Sequence, residues 1–338
     1  MKKFAFIFVL TLLFCMRICI VTSAQYIEEK EAISSPEFFM EEQFDVVSYD
    51  PNTGEETIST MYAKDTYIMK EYNKVLSAAM EKEGNQKFDK KSFDASFTLV
   101  QPGYNPEESN KVKPLTVIGN DDRYRMANSP YPNGCILYLR NGYDTNGDGA
   151  ADTWWTGSAS MVGKQVLLTA AHCYYKSDYG WVKQSRTYVN QHSGTLNSTW
   201  EWPSSWVCPS NYTSTQDYKY DWCVVRMQNA IGSTTTGYFG YGNAGANSML
   251  NNSYIVAGYP GQQGFTIFRY GCSGTVTSED YYMTRYNADM SPGQSGGPVY
   301  SGTIVWAVNT YQASTYNMGN KITAWCFELI TNARNATQ

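Results

Sequence analysis

Three residues of this chain sit in settings that suit acyl transfer. Ser295 lies in Gly293-Gln294-Ser295-Gly296-Gly297-Pro298, His172 in Leu168-Thr169-Ala170-Ala171-His172-Cys173, and Asp221 directly before Trp222-Cys223-Val224-Val225. A serine hydroxyl is a weak nucleophile. It needs a base within hydrogen-bond reach, a carboxylate to orient that base, and donors for the oxyanion that forms. In that scheme Ser295 attacks, His172 takes and returns the proton, and Asp221 fixes the imidazole tautomer. Gly293 lets the backbone turn so that its amide and that of Ser295 can aim at one oxygen. Each such donor is worth roughly 3 kcal/mol. Gly296 and Gly297 would keep bulk away from an approaching substrate.

The competing assignments are few. The chain has two histidines, and His192 lies in the polar stretch Asn190-Gln191-His192-Ser193-Gly194, which reads as a surface loop. Asp217, in Thr215-Gln216-Asp217-Tyr218, is the rival carboxylate. Asp221 stands at the mouth of an apolar strand, where it can be buried against an imidazole. The serine string could be a plain glycine-rich turn. It also matches the Gly-x-Ser-x-Gly elbow of α/β-hydrolases, but that fold places its histidine after the serine, and none follows His192. The chain order is therefore His, Asp, Ser.

A secondary cluster is Asp144-Thr145-Asn146-Gly147-Asp148-Gly149-Ala150-Ala151-Asp152. Oxygens alternating around a glycine turn suit a structural calcium ion, with Asp144, Asn146, Asp148 and Asp152 as ligands. Trp155 occupies the twelfth position, where a standard calcium loop has glutamate. The other reading is an Asx-rich hairpin turn. No organic cofactor is required, and two histidines without a Cys-x-x-Cys pair argue against zinc.

The elements that must position these residues follow from composition. The chain has 338 residues and a net charge of −5. Residues 25–115 hold 18 of the 31 acidic residues, against 10 lysines and no arginine, whereas all nine tryptophans lie beyond Leu115. The C-terminal part is near neutral and offers no electrostatic footprint for nucleic acid. Residues 1–24 read as a signal peptide: Lys2 and Lys3, an apolar run to Ile20 broken by Arg17, then Thr22-Ser23-Ala24. An uncleaved anchor is the alternative, although Arg17 disfavours a span of ~20 apolar residues. The expected location is extracellular. Cys15 and Cys19 leave with the signal. Six cysteines then remain, enough for up to three disulfides in an oxidising compartment.

Residues 25–115 read as a pro-segment, with a helix from Asp65 to Lys82 that stops at Gly84 and an exposed linker from Gln101 to Pro114. An independent acidic domain is the alternative. Beyond Thr116 come short β-branched and aromatic runs: Gln165–Thr169, Trp222–Val225, Tyr254–Ala257 and Thr303–Val308. Their regularity suggests an all-β sandwich or barrel. A helix from about Ile322 to Arg334 closes the chain.

The three strings together resemble those of chymotrypsin-fold serine proteases. A narrower resemblance runs from Thr116 to the C-terminus. Val117-Ile118-Gly119-Asn120-Asp121-Asp122-Arg123, Gly258-Tyr259-Pro260-Gly261, Ser273–Thr277 and Tyr286–Asp289 are similar to stretches of the secreted bacterial glutamyl endopeptidases. The resemblance implies two antiparallel β-barrels, 116–230 carrying His172 and Asp221 and 231–338 carrying Ser295 and the helix. It implies a secreted zymogen cut near Thr116 or Val117 by an activating protease, with the new amine of Val117 helping to shape the substrate pocket. Substrates would be proteins or peptides, and the enzyme a monomer free of membrane after signal removal. Family glutamyl specificity rests partly on a histidine in the strand after the nucleophile; here Val308 and Asn309 stand there. Asp289, six residues before Ser295, is where trypsin-like enzymes bind Lys or Arg. Asp289, Met290, Asn309 and Val117 are thus the expected pocket residues. Acidic preference, basic preference through Asp289, and a non-catalytic binder that kept the fold all stay open. The usual disulfide partner of the cysteine beside the histidine falls at Gly157.

Overall fold

A computed structural model describes residues 41–64, 117–128, 131–192, 194–261, 267–312 and 315–336. The described residues within 45–59 and 117–336 form one compact unit. The expected signal peptide, the helix from Asp65 to Lys82 and the linker to Pro114 lie outside the described residues.

The strands are β1 (Glu41–Asp50), β2 (Glu55–Lys64), β3 (Tyr124–Arg125), β4 (Ile136–Tyr143), β5 (Thr153–Met161), β6 (Val166–Thr169), β7 (Tyr175–Lys176), β8 (Gly180–Trp181) and β9 (Gln184–Tyr188). They continue with β10 (Pro203–Pro209), β11 (Cys223–Met227), β12 (Gly240–Tyr241), β13 (Ser253–Gly258), β14 (Tyr270–Glu279), β15 (Met283–Tyr286), β16 (Pro298–Ser301), β17 (Ile304–Gln312) and β18 (Asn317–Lys321). Helix α1 is Ser210–Thr215 and α2 is Ala324–Asn335. The four strand runs read from sequence are β6, β11, β13 and β17, and the closing helix is α2.

The fold is mostly β. The second sheet runs β17-β16-β13-β14-β15-β18, and a β17–β18 pairing closes it into a six-stranded barrel. Its interior packs Met249, Val256, Cys272, Val276, Tyr286, Met290, Val299 and Ala307. β13 enters this core with Tyr254, Val256, Ala257 and Gly258 buried and only Ser253 exposed. The first sheet runs β2-β1-β10-β11-β6-β5-β4-β9. It curls until one isolated bridge, Thr187 to Glu201, links β9 to the approach to β10. The strands of both sheets pair antiparallel except β12, which runs parallel to β17.

The hairpin β1–β2 was not foreseen. It belongs to the acidic segment, yet β1 adds an outer strand to the first sheet, with Val47 opposite Cys208 and Tyr49 opposite Trp206. Tyr49 stacks on both Trp181 and Trp206, and Glu56 accepts from the Trp181 indole at 2.7 Å. Its signal was present: an alternating Phe44-Asp45-Val46-Val47-Ser48-Tyr49 run followed by the turn Pro51-Asn52-Thr53-Gly54, with Gly54 at φ +74°.

The expected disulfides are corrected. Cys135, Cys173, Cys208, Cys223, Cys272 and Cys326 are all free and buried. Desolvation pushes the Cys135 thiol up to about 12 and holds Cys208 and Cys326 well above the ordinary thiol range. These side chains pack as small apolar groups. Cys173 faces Gly157, where even an added Cβ would lie 2.9 Å from its sulfur.

Candidate active site

His172 is placed by β6 and the short 3-10 turn Ala171–Cys173 that follows it. Asp221 is placed two residues before β11, the neighbour of β6 in the sheet. That adjacency brings the two side chains together across a sequence separation of 49. The Asp221 carboxylate accepts from the His172 backbone amide at 2.8 Å and meets its Nδ1 at 2.6 Å. Asp221 is fully buried, while the His172 side chain is 23% exposed. Burial by itself would lower the imidazole pKa; the Asp221 carboxylate outweighs it and raises it. The phenols of Tyr311 and Tyr212 also lie beside Asp221, and burial first, then that carboxylate, hold both well above the ordinary phenol range. Asp217 is elsewhere: it caps the turn Tyr218–Tyr220 by accepting from Lys219. His192 packs against Phe268.

Ser295 sits in the turn before β16 and lines the same cleft as His172, a cavity of about 330 Å³. The geometry of its loop explains the glycines. At Gly293 φ is +95°, and a Cβ would come within 2.6 Å of the Gly261 amide. The Pro292 carbonyl turns away to accept from Gly261 at 2.7 Å. In a trans peptide the N–H points opposite to the C=O, so the Gly293 amide faces the other way. The Gln294 carbonyl likewise accepts from Asn309 Nδ2 at 2.9 Å and from the Gly297 amide at 3.1 Å, which turns the Ser295 amide away from both. Neither amide has a hydrogen-bond partner among the described residues. Ser158 of β5 ties the loop down. Its hydroxyl donates to the Gly293 carbonyl at 2.9 Å, and its amide donates to the Ser295 carbonyl at 2.8 Å.

The glycines after the serine do something other than leave room for substrate. A Cβ on Gly296 or Gly297 would strike the protein itself, Ser158 and Thr169 in one case and the Ala257 carbonyl in the other. They allow the nucleophile loop to press against β5, β6 and β13.

The four expected pocket residues are not among those that line this cavity. Asn309 is fully buried, with its carbonyl accepting from the Tyr286 hydroxyl at 2.6 Å and its amide spent on Gln294. Met290 is fully buried in the second barrel. Asp289 is buried, and its two oxygens accept from the Ile118 amide at 2.7 Å and the Asp122 amide at 2.8 Å. Val117 is half-buried at the start of that segment. Arg123, unremarked in the sequence, donates to Ser291 Oγ and to Gln294 Oε1 at 3.2 Å.

The four residues considered for calcium share one turn, where they serve their own backbone. Asp144 accepts from the Gly147, Asp148 and Gly149 amides, and Asp152 from those of Thr145 and Asn146. Asn146 accepts from Asp148, and Asp148 from Ala150.

Comparison with known proteins agrees with the fold. Residues 157–305 match the trypsin-like peptidase domain. The chain is 30% identical over 242 residues to a glutamyl endopeptidase of Bacillus licheniformis, covering 66% of this chain and 70% of that protein. It is 25% identical over 223 residues to a protein of Bacillus subtilis named extracellular metalloprotease, covering 63% of this chain and 67% of that one. Among the described residues no three His, Cys, Asp or Glu side chains could share an ion, so the donors do not fit the metal in that name. A solved glutamyl endopeptidase superposes with a TM-score of 0.56 at 25% identity, covering 65% of this chain and 99% of that structure. The fold and these matches define a chymotrypsin-fold serine endopeptidase. Within that class, the chain belongs to the glutamyl endopeptidase family.

Proposed function

We propose that the protein is a secreted endopeptidase made as a zymogen, working through Ser295, His172 and Asp221. The observation that carries the assignment is the double contact of Asp221 with His172, at 2.8 and 2.6 Å, in the cleft that Ser295 lines. Ser295 Oγ attacks the peptide carbonyl while His172 takes its proton. The amides of Gly293 and Ser295 receive the oxyanion. The C–N bond then breaks, and His172 returns the proton to the departing amine. Water repeats the sequence on the acyl-enzyme.

Cleavage near Thr116 or Val117 is the activation step in this reading. Asp289 supports it, because its carboxylate clamps the segment just beyond that point through Ile118 and Asp122. The same clamp disfavours basic specificity, since it turns one Asp289 oxygen to each of two backbone amides and the side chain is buried, away from a substrate lysine or arginine. The preference we propose is for an acidic residue before the scissile bond, in line with the name of the 30% identical relative. Secretion accords with the lysine-flanked apolar leader and with the extracellular relative.

The test is a pair of chains, one cleavable and one with Leu115 to Val117 made resistant to processing, each assayed on peptides differing only in Glu or Lys before the bond. The account expects the cleaved chain alone to be active, with Glu preferred. Equal activity of the blocked chain would refute the zymogen, and preference for Lys would refute the specificity.

A further inference from the structure

The cleft extends well beyond His172 and Ser295. Its remaining wall is made by the first sheet and the turn after the histidine, through Tyr143, Trp155, Thr156 and Lys176. Trp155 is 36% exposed, stacks on Tyr179 at 5.6 Å and 25°, and meets the Tyr143 ring edge-on. The Lys176 ammonium stands 4.9 Å from the Trp155 ring centre and 5.5 Å from that of Tyr143. Among the described residues no carboxylate pairs with Lys176, and no acidic side chain lines the cleft. A cation so placed is held by ring faces and leaves its charge for a ligand.

The direction of the chemistry tells which half of a peptide reaches it. The imidazole must hand its proton to the departing amine, so the leaving chain passes on the side of His172. Lys176 lies four residues beyond His172 in the wall of this cleft, which Gly293, Ser295, Thr310 and Tyr311 also line, with the Tyr311 ring 5.5 Å from that of His172.

We propose that the Lys176 end of the cleft is the subsite for the leaving half of the substrate. It selects an acidic side chain one or two residues after the scissile bond, with Trp155 and Tyr179 as the platform beneath that chain. The subsite rests on the triad reading above.

The experiment uses the processed enzyme and quenched peptides that differ only as Glu, Gln or Lys at the first two positions after the cut. A small anilide with the same acyl half serves as reference. In the unmodified enzyme kcat/KM should favour Glu over Gln by about two- to fivefold, the range of an exposed charge pair, and the margin should shrink as salt rises. Lys176→Gln should abolish the margin, and Lys176→Glu should turn it toward Lys. All three enzymes should cut the anilide alike. An unchanged Glu-to-Gln ratio in the variants would overturn the subsite, as would a change confined to residues before the bond. An unmodified enzyme inert to the anilide and to every peptide would overturn the triad reading, and the subsite with it.

Discussion

At the scale of the residue, the account turns on how few atoms set the site. Asp221 raises the His172 pKa, and the imidazole must be neutral to act as a base. The acid limb of kcat/KM should therefore lie above the ordinary histidine value of about 6.5. Asp221→Asn should move that limb downward and cut kcat by roughly 10⁴; a pH profile of each enzyme checks both. Gly293→Ala should cost activity and stability together, because the φ of +95° and the 2.6 Å approach to Gly261 leave no room for a methyl group. Full activity with an unchanged melting temperature would contradict that. The three strings that carry the proposed triad stood out in the sequence, where context favours His172 over His192 and Asp221 over Asp217. The partners of the expected pocket residues did not. Asn309, Met290 and Asp289 occupy expected positions along the chain, but which way a buried side chain faces depends on partners such as Tyr286 and Ile118 that no spacing reveals.

At the scale of the element, neighbouring strands do the positioning. β6 and β11 are adjacent, so the residues just beyond their ends meet, and β5 carries Ser158 to the back of the nucleophile loop. The runs that became β6, β11, β13 and β17 could be read because each buries an unbroken or alternating apolar face. The β1–β2 hairpin was missed because its acidic surroundings masked an ordinary alternation. Its docking makes a prediction of its own. Tyr49→Ala removes two ring stacks, each worth about 0.5–1.5 kcal/mol beyond its buried area, and should lower the melting temperature of the unprocessed chain. A processed enzyme that has shed residues 25–115 should melt the same with or without the substitution. The acidic turn at 144–152 closes on its own amides, so chelator should leave its melting curve unmoved; a fall restored by calcium would show an ion there.

At the scale of the whole molecule, two β-layers share one cleft and divide the labour. In the proposed mechanism the first sheet supplies base and carboxylate, and the loop that carries Ser295 leads into the second barrel. The division between an acidic leading segment and an aromatic catalytic part was legible from composition. The docking of β1 on the first sheet was not, because a strand that joins a sheet edge leaves no mark beyond its own alternation. The central claim is that Ser295, activated by His172, is the nucleophile. A fluorophosphonate probe reacts only with such a serine. Incubated with the processed enzyme and followed by peptide mapping, it should label Ser295, with no labelling of Ser295→Ala and strong suppression in His172→Ala. A correctly processed chain that takes up no label, or takes it up at another residue, would contradict the account.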